Sequence, residues 1–437
     1  MNSFVEKIKK VLGISSVPYI YAYLYAMSYK NYLISLFKPD VVRVFNPHQK
    51  DQSILLIALF EKSYLRKDII RLLESSKRAG LYVVAVNTRK LSKAFLEEHQ
   101  YLFDVYISQY NYGRDFASYQ KGFKYIFKNK LQQHAERIVM LNDSLYYDAD
   151  RTPQFLDDMI NAPVEVLGAT ENHEINYHLG SFAISFAKKI TNNAKFIKYW
   201  NNYRRSDIRP LVIKRGEMGL SKILAKIVSN EFEMKALYDA SKVRTFLQIS
   251  FENLISHSDL YRDSNLVDWP RLSYVSLLED FLTRTKLISG KERKDKLVEF
   301  DKNERISAIK LERAGFNSND MYVTSIQNID IYLNRIPGKA DDIYDQFYKF
   351  AISKSVSNSR HGSQIHQNNA CFMLMGLPII KLDGIYRGMF SELDITNFQK
   401  LLKPEYFNEL IEILYKKPFG GDVLLGWRQV AFFRGLI

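Results

Sequence analysis

The chain reads as an α/β protein built on a mostly parallel, Rossmann-like sheet, and features of its first half carry that reading. Apolar runs at residues 54–60, 81–86, 103–107 and 137–141 are continuous rather than alternating, as in strands covered on both faces. Stretches of helical period separate them, giving the order β, α, β, α, β, α, β with short connections. That order is satisfied most simply by parallel strands joined through crossover helices.

Residues 1–50 form a basic, aromatic N-terminal segment. From Lys7 to Pro39 there is no acidic residue, while Lys7, Lys9, Lys10, Lys30 and Lys38 flank Tyr19, Tyr21, Tyr23, Tyr25, Tyr29 and Tyr32. Aromatic bodies between lysines suit the interface of an anionic bilayer, and a helix docked on its own domain is the plainer reading. Pro18 and Lys30 interrupt the run, so a spanning helix is not expected, and a long, Tyr-rich apolar part without a small-residue cleavage site argues against a cleaved signal peptide.

Residues 51–235 are expected to hold the α/β domain. After the strand at 54–60, residues 65–79 make an amphipathic helix with Ile69, Leu72, Leu73 and Ser76 on one side and Gly80 as its stop. The strand at 81–86 ends in Asn87-Thr88, and the one at 103–107 delivers the chain to Asn111. Residues 116–127 are helical, and the strand at 137–141 delivers Asn142. Strands at 164–170 and 181–186 and helices at 196–203 and 219–228 complete the domain, Trp200 being either core or a sugar-stacking ring. Residues 236–437 are expected to form a mainly helical region, with helices at 277–287 and 340–353 and a solvated charge run at 289–304. The apolar segment 370–385 must pack against one of these units.

Composition narrows the function. The net charge of +14, with 29 Tyr and 28 Phe, suits anionic partners such as nucleotide diphosphates or a membrane face. Nucleic acid is disfavoured, because the basic residues are spread along the chain without zinc-finger spacing or an aromatic RNP-type strand. A single cysteine, Cys371, excludes an intramolecular disulfide framework, which fits a cytoplasmic location.

Two polar knots sit where open α/β sheets bind ligands, at the carboxyl ends of buried strands: Asn111-Tyr-Gly113-Arg114-Asp115-Phe-Ala-Ser-Tyr119 and Asn142-Asp143-Ser144. Asp143 could bind Mg²⁺ or Mn²⁺ bridging a diphosphate, with Asn142 and Ser144 around it, and reads equally well as part of a capping turn. Gly113 permits close backbone approach, Arg114 could fork onto phosphate, and Asp115 is either a ligand contact or a helix N-cap. His178 precedes an apolar strand and could touch phosphate or substrate, though a structural histidine would look the same. Glu217 begins a helix after a basic loop, where the dipole favours a carboxylate and where it could also deprotonate an acceptor hydroxyl.

These motifs, followed by Tyr177-His-Leu-Gly-Ser-Phe182, Phe196-Ile-Lys-Tyr-Trp200 and Gly216-Glu-Met-Gly-Leu-Ser221, occur in the order found in the rhamnan synthesis protein F family. The chain resembles that family over roughly residues 50–230, with a weaker likeness at Asn369 to Gly388, including Gly376-Leu-Pro-Ile-Ile-Lys381. The resemblance implies a GT-A-type glycosyltransferase of bacterial surface polysaccharide assembly. It would move a sugar, rhamnose from dTDP-rhamnose in the first instance, onto a lipid-linked oligosaccharide or polysaccharide at the inner face of the cell membrane. It puts Asn111, Gly113, Arg114, Asp115, Asn142, Ser144 and His178 in the donor pocket, Asp143 at the metal position and Glu217 and Asp143 as catalytic carboxylates. Asn142-Asp143-Ser144 offers one carboxylate where the usual metal motif has two. That departure supports an alternative, a non-catalytic glycan-binding or scaffold subunit of an assembly complex.

Overall fold

The computed structural model describes residues 2–173, 175–262, 277, 281, 340–360, 364–416 and 424–437. Four buried strands form its parallel heart: β2 (Ile54–Leu59), β3 (Tyr82–Asn87), β4 (Val105–Ser108) and β5 (Arg137–Asn142), in the spatial order β4-β3-β2-β5. All four are buried along their length, which is why their sequences run apolar without alternation. Helix α2 (Lys67–Arg78) buries Ile69, Leu72, Leu73 and Ser76, the side anticipated from its periodicity. The short α3 (Lys93–Glu98), capped by the Ser92 hydroxyl accepting from the Phe95 amide, joins β3 to β4. Helix α4 (Arg114–Lys128) joins β4 to β5.

The chain moves from β2 outward to β3 and β4, then crosses back to β5 on the other side of β2. The gap beyond the carboxyl ends of β2 and β5 is therefore the topological switch point, the general ligand position of such sheets.

The rest of the sheet is mixed rather than parallel. Strand β9 (Ala183–Ala187) lies antiparallel between β5 and β7 (Val166–Asn172), and β10 (Met234–Tyr238) closes that side parallel to β7. The reversal has a local cause: β7 turns back through β8 (His178–Leu179), so β9 re-enters the sheet head to tail. Strand β1 (Val41–Val44) covers the other edge antiparallel to β4. Packed on the sheet, α4 and the helix Ala194–Asn202 meet through stacked rings; Trp200 is fully buried, 4.5 Å from Phe123 and 6.0 Å from Phe116. Trp200 is core, not a sugar platform.

The described chain divides into two compact units, and the division differs from a boundary at residue 235. The first unit takes Met1–Asp239 and also His361–Ile437. The apolar segment 370–385 belongs to it: β11 (Ile379–Lys381) pairs antiparallel with β6 (Leu145–Tyr147), the three residues that follow the Asn142-Asp143-Ser144 knot. In the second unit, helices Ala240–Ile249, Phe251–Leu260 and Ala340–Asn358 pack together, with Tyr348 donating to the Leu247 carbonyl at 2.8 Å. The helix expected at 277–287 lies outside the described residues except at Leu277 and Phe281, and the charge run at 289–304 lies wholly outside them.

The N-terminal segment is one helix, α1 (Asn2–Phe37). One face is docked on its own unit: Ile20 clusters with Ala431 and Leu436, and Asn31 donates to the Asp207 carboxylate at 2.8 Å.

Candidate active site

Helix α4 begins from a turn that only a special backbone allows. Gly113 has φ +92°, and a side chain there would meet the Cβ of Ala117 at 2.8 Å and of Arg205 at 2.9 Å. Its amide donates to the Asp207 carboxylate at 2.7 Å, so the residue that anchors α1 also anchors this turn. Gly113 is the helix N-cap without a side-chain cap, which leaves the Asp115 carboxylate available to the site instead of to its own helix. Arg114, itself at φ +53°, points outward and donates through Nε to the Asp207 carbonyl at 2.9 Å.

Asp115 meets the second knot directly. The Asn142 amide donates to Asp115 Oδ2 at 2.9 Å, and the Ser144 hydroxyl donates to Asn142 Oδ1 at 2.8 Å. Burial pushes the Asp115 carboxyl above the ordinary carboxylate range, while Arg114 and Lys381 pull it back.

Opposite stand His178 and Glu217. Glu217 closes a π-helical turn, Ile213–Glu217, that runs into the helix Met218–Leu224; such turns interrupt the regular hydrogen-bond ladder and often mark functional positions. Gly216 makes the turn's close approach possible, since a Cβ there would lie 2.7 Å from the Phe116 ring. Ser181 donates to Glu217 Oε1 at 3.0 Å, and His178 Nε2 stands 3.8 Å from Oε2. His178 Nδ1 lies 2.8 Å from the Asn176 carbonyl, which can only accept, so Nδ1 carries the proton and Nε2 faces the carboxylate. The Tyr119 hydroxyl donates to the Ser181 carbonyl at 3.2 Å, tying this wall to the first knot.

Asp115, Asn142, Ser144, His178, Ser181 and Glu217 line one cavity of about 110 Å³, together with Glu171 and Asn172 from the end of β7 and His366 and Lys381 from the C-terminal segment. The β6–β11 pairing puts Lys381 across from Leu145, and the amide of Leu382 donates to the Ser144 carbonyl at 3.3 Å. The Lys381 ammonium lies 4.4 Å from the centre of the Phe182 ring; burial draws its pKa down, opposed by Asp383, Glu217 and Asp115. Burial also draws His366 down to about 4, so the imidazole is neutral in this wall at pH 7.

Asn111 faces a different, wider pocket of about 370 Å³ with Lys62, Ser63, Arg89 and Lys90. These residues follow β2, β3 and β4 at their carboxyl ends. Among the described residues none of Lys62, Arg89 and Lys90 forms an ion pair, and the Arg89 guanidinium lies over the half-exposed Phe60 ring at 4.3 Å. Three unpaired cations around an open concavity favour a multiply charged anion. The turn from Asn111 to Asp115 connects the two pockets.

Asp143 lies apart from both sets of lining residues. It occupies the switch point with its carboxylate turned inward, accepting from the Phe60 amide, while its own amide donates to the Ala58 carbonyl at 3.1 Å. Arg66 donates to its carbonyl at 2.8 Å and also binds Glu61, Asp68 and the Leu145 carbonyl, so the knot is fastened from below. Burial pushes the Asp143 carboxyl up to about 7, with Arg66 the main opposing influence. The Asp143 side chain is buried and lines neither cavity, and among the described residues no three His, Cys, Asp or Glu side chains converge to hold a metal. The residues at Asp143 therefore do not fit the metal position that the resemblance implied.

Five of the nine residues singled out from sequence thus converge on one cavity: Asp115, Asn142, Ser144, His178 and Glu217. Glu171, His366 and Lys381 were not assigned a role there. For Lys381 a signal existed, the weak likeness over Gly376-Leu-Pro-Ile-Ile-Lys381, but strand pairing across more than half the chain is needed to see where it leads.

A family model agrees with the resemblance. The family model described as rhamnan synthesis protein F matches residues 83–261. The uncharacterized protein y4gN of Sinorhizobium fredii is 25% identical over 223 residues, covering 49% of this chain and 56% of that protein. The virulence protein VirA of Vibrio anguillarum is 28% identical over 121 residues, covering 27% of this chain and 38% of that one. The chain thus spans little more than half the length of the first of these relatives, and less of the second. Among solved structures, the glycosyltransferase GlyE of Streptococcus pneumoniae TIGR4 is similar over 46% of this chain and 50% of its own, at 12% identity and a TM-score of 0.25.

Proposed function

We propose that the chain is a glycosyltransferase of bacterial polysaccharide synthesis that takes its sugar from a nucleotide-sugar donor. The observation that supports this most is the pairing of two unlike pockets on one turn: a basic one at the ends of β2, β3 and β4, and an acidic and histidine-lined one beside it. The cationic pocket suits the nucleoside diphosphate, and the smaller cavity, rich in paired hydroxyl and carboxylate groups, suits a sugar.

Within that reading each residue has a task. Lys62, Arg89 and Lys90 hold the anionic end of the donor. Asn142, oriented by Ser144, and Asp115 accept and donate to sugar hydroxyls. Glu217 takes the proton of the acceptor hydroxyl through Oε2, its other oxygen being held by Ser181 and its position set by the π-helical turn. Lys381 faces the oxygen that leaves with the diphosphate and offsets its growing negative charge. No step is assigned to a metal. The family description supports rhamnose as the sugar, and a lipid-linked acceptor would place the reaction at the inner face of the cell membrane.

The test is transfer from radiolabelled nucleotide sugars, dTDP-rhamnose among them, to a lipid-linked acceptor. Transfer from at least one donor is expected. Oligosaccharide binding with neither nucleoside diphosphate binding nor transfer across the panel would sink the enzyme reading and leave the scaffold alternative.

A further inference from the structure

Helix α1 uses one face to dock and leaves a stripe beside it largely exposed, although the Tyr32 ring lies 6.0 Å from that of Tyr112. Tyr25, Tyr29, Tyr32 and Leu36 recur at spacings of four, three and four, so they line one stripe, with Leu33 and Phe37 beside it. They are exposed, Tyr29 at 62%, Leu36 at 60% and Phe37 at 84%, and Tyr19 higher on the helix reaches 79%. Lys30 is the only charged residue from Val11 to Phe37. The apolar surface continues past the helix into the edge strand β1, where Val41, Val42 and Val44 are all exposed.

The docked face explains why the stripe cannot simply turn inward. Ile20 is clamped against Ala431 and Leu436, the Asp207 amide donates to the Ser28 hydroxyl at 3.3 Å, and Asn31 binds the Asp207 carboxylate. Rotating the helix to bury the tyrosines would break all three.

Lysines adjoin the stripe, one of them paired with Asp40. Lys38 lies over the Tyr110 ring at 4.8 Å, Lys121 contacts Asp40 just before β1, and Lys124 stands near both Lys121 and Arg205. Phenol rings with a hydroxyl at one end and an apolar body at the other, set among cations, match the boundary between headgroups and acyl chains of an anionic bilayer. No helix of the described residues is long and apolar enough to cross a membrane, so the fit is to lying on the surface.

We infer that the exposed face of α1, continued by β1, seats this protein on an anionic lipid surface. This goes beyond the transferase reading and does not depend on it, since vesicle binding needs neither donor nor acceptor.

The test is flotation of the full chain with phosphatidylcholine vesicles containing about 30% phosphatidylglycerol, against pure phosphatidylcholine, at about 0.1 M salt, where exposed charges still act over roughly 10 Å. The chain should float with the anionic vesicles and much less with the neutral ones. A triple variant, Tyr29→Ser, Leu36→Ser and Phe37→Ser, changes only exposed side chains, and its melting temperature should match the parent's. Its partitioning should fall at least ~10-fold, because three apolar side chains lose their burial in the interface. Trp427, which packs edge-on against Tyr23 at 4.8 Å, gives a second readout: its emission should shift to the blue on adding anionic vesicles. A parent chain that stays unbound overturns the inference, as does a triple variant that floats as well as the parent. Self-association that the triple variant abolishes, without vesicle binding, would overturn it in favour of a second copy.

Discussion

Asp143 gives the sharpest test of how the site is built, because its two readings predict opposite results for one substitution. If it were the metal-binding or catalytic carboxylate, Asp143→Asn would abolish turnover. The structure instead makes it a buried fastening between β2 and β5, accepting from the Phe60 amide and carrying a carboxyl raised to about 7. The unfolded chain binds that proton near 3.8, so between the two values the folded state holds more protons, and stability falls as pH rises through about 7. At about 1.4 kcal/mol per decade, the cost of ionising this group in the fold amounts to ~3 kcal/mol between pH 5 and pH 8. Asparagine keeps an oxygen for the Phe60 amide and cannot ionise, so Asp143→Asn should gain on the parent by about that amount over the same interval. Urea unfolding of both proteins at pH 5 and pH 8 measures it, alongside transfer activity at one pH. Parallel pH dependences would refute the burial argument, and lost turnover with an intact fold would restore Asp143 to the chemistry.

Three further outcomes are expected. Glu217→Gln keeps an acceptor for the Ser181 hydroxyl but removes the base, so turnover should fall ~10²- to 10⁴-fold with donor affinity little changed; near-parent turnover would remove Glu217 from the reaction. Lys381→Met should weaken nucleoside diphosphate binding by about tenfold in calorimetry, a loss of one charge-assisted contact, while leaving the bare nucleoside unaffected; equal losses for both ligands would mean a purely structural lysine. Gly216→Ala forces a methyl to within 2.7 Å of the buried Phe116 ring and should cost ~1–3 kcal/mol in thermal or urea unfolding, a neutral change showing that the π-helical turn can give way.

The parallel half of the sheet was legible because burial on both faces writes itself as unbroken apolar runs, as in Ile54–Leu59 and Arg137–Asn142. The other strands lack that mark. Val41–Val44 is an exposed edge, Leu145–Tyr147 and Ile379–Lys381 are three residues each, and Met234–Tyr238 reads as a mixture of buried and exposed positions. A strand's direction is likewise not encoded in its own residues. Nothing in Ala183–Ala187 says antiparallel; the reversal comes from the β7–β8 return that precedes it.

The same distinction separates the parts of the site that could be read from those that could not. Asp115, Asn142 and Ser144 follow directly from strands whose ends were visible, so their meeting is a consequence of β4 and β5 belonging to one sheet. Lys381 arrives through a three-residue pairing from the far end of the chain, and the pairing itself is what makes it part of the site: β11 registers on β6, and β6 begins immediately after Ser144. The knot at Asn142 to Ser144 therefore does two jobs, presenting Asn142 and Ser144 to the cavity and starting the strand that brings in the cation. Asp143, between them, is the one member turned inward, where it ties the knot to β2. One acidic residue suffices for that fastening, and on the proposed reading the cation set against the leaving diphosphate is Lys381.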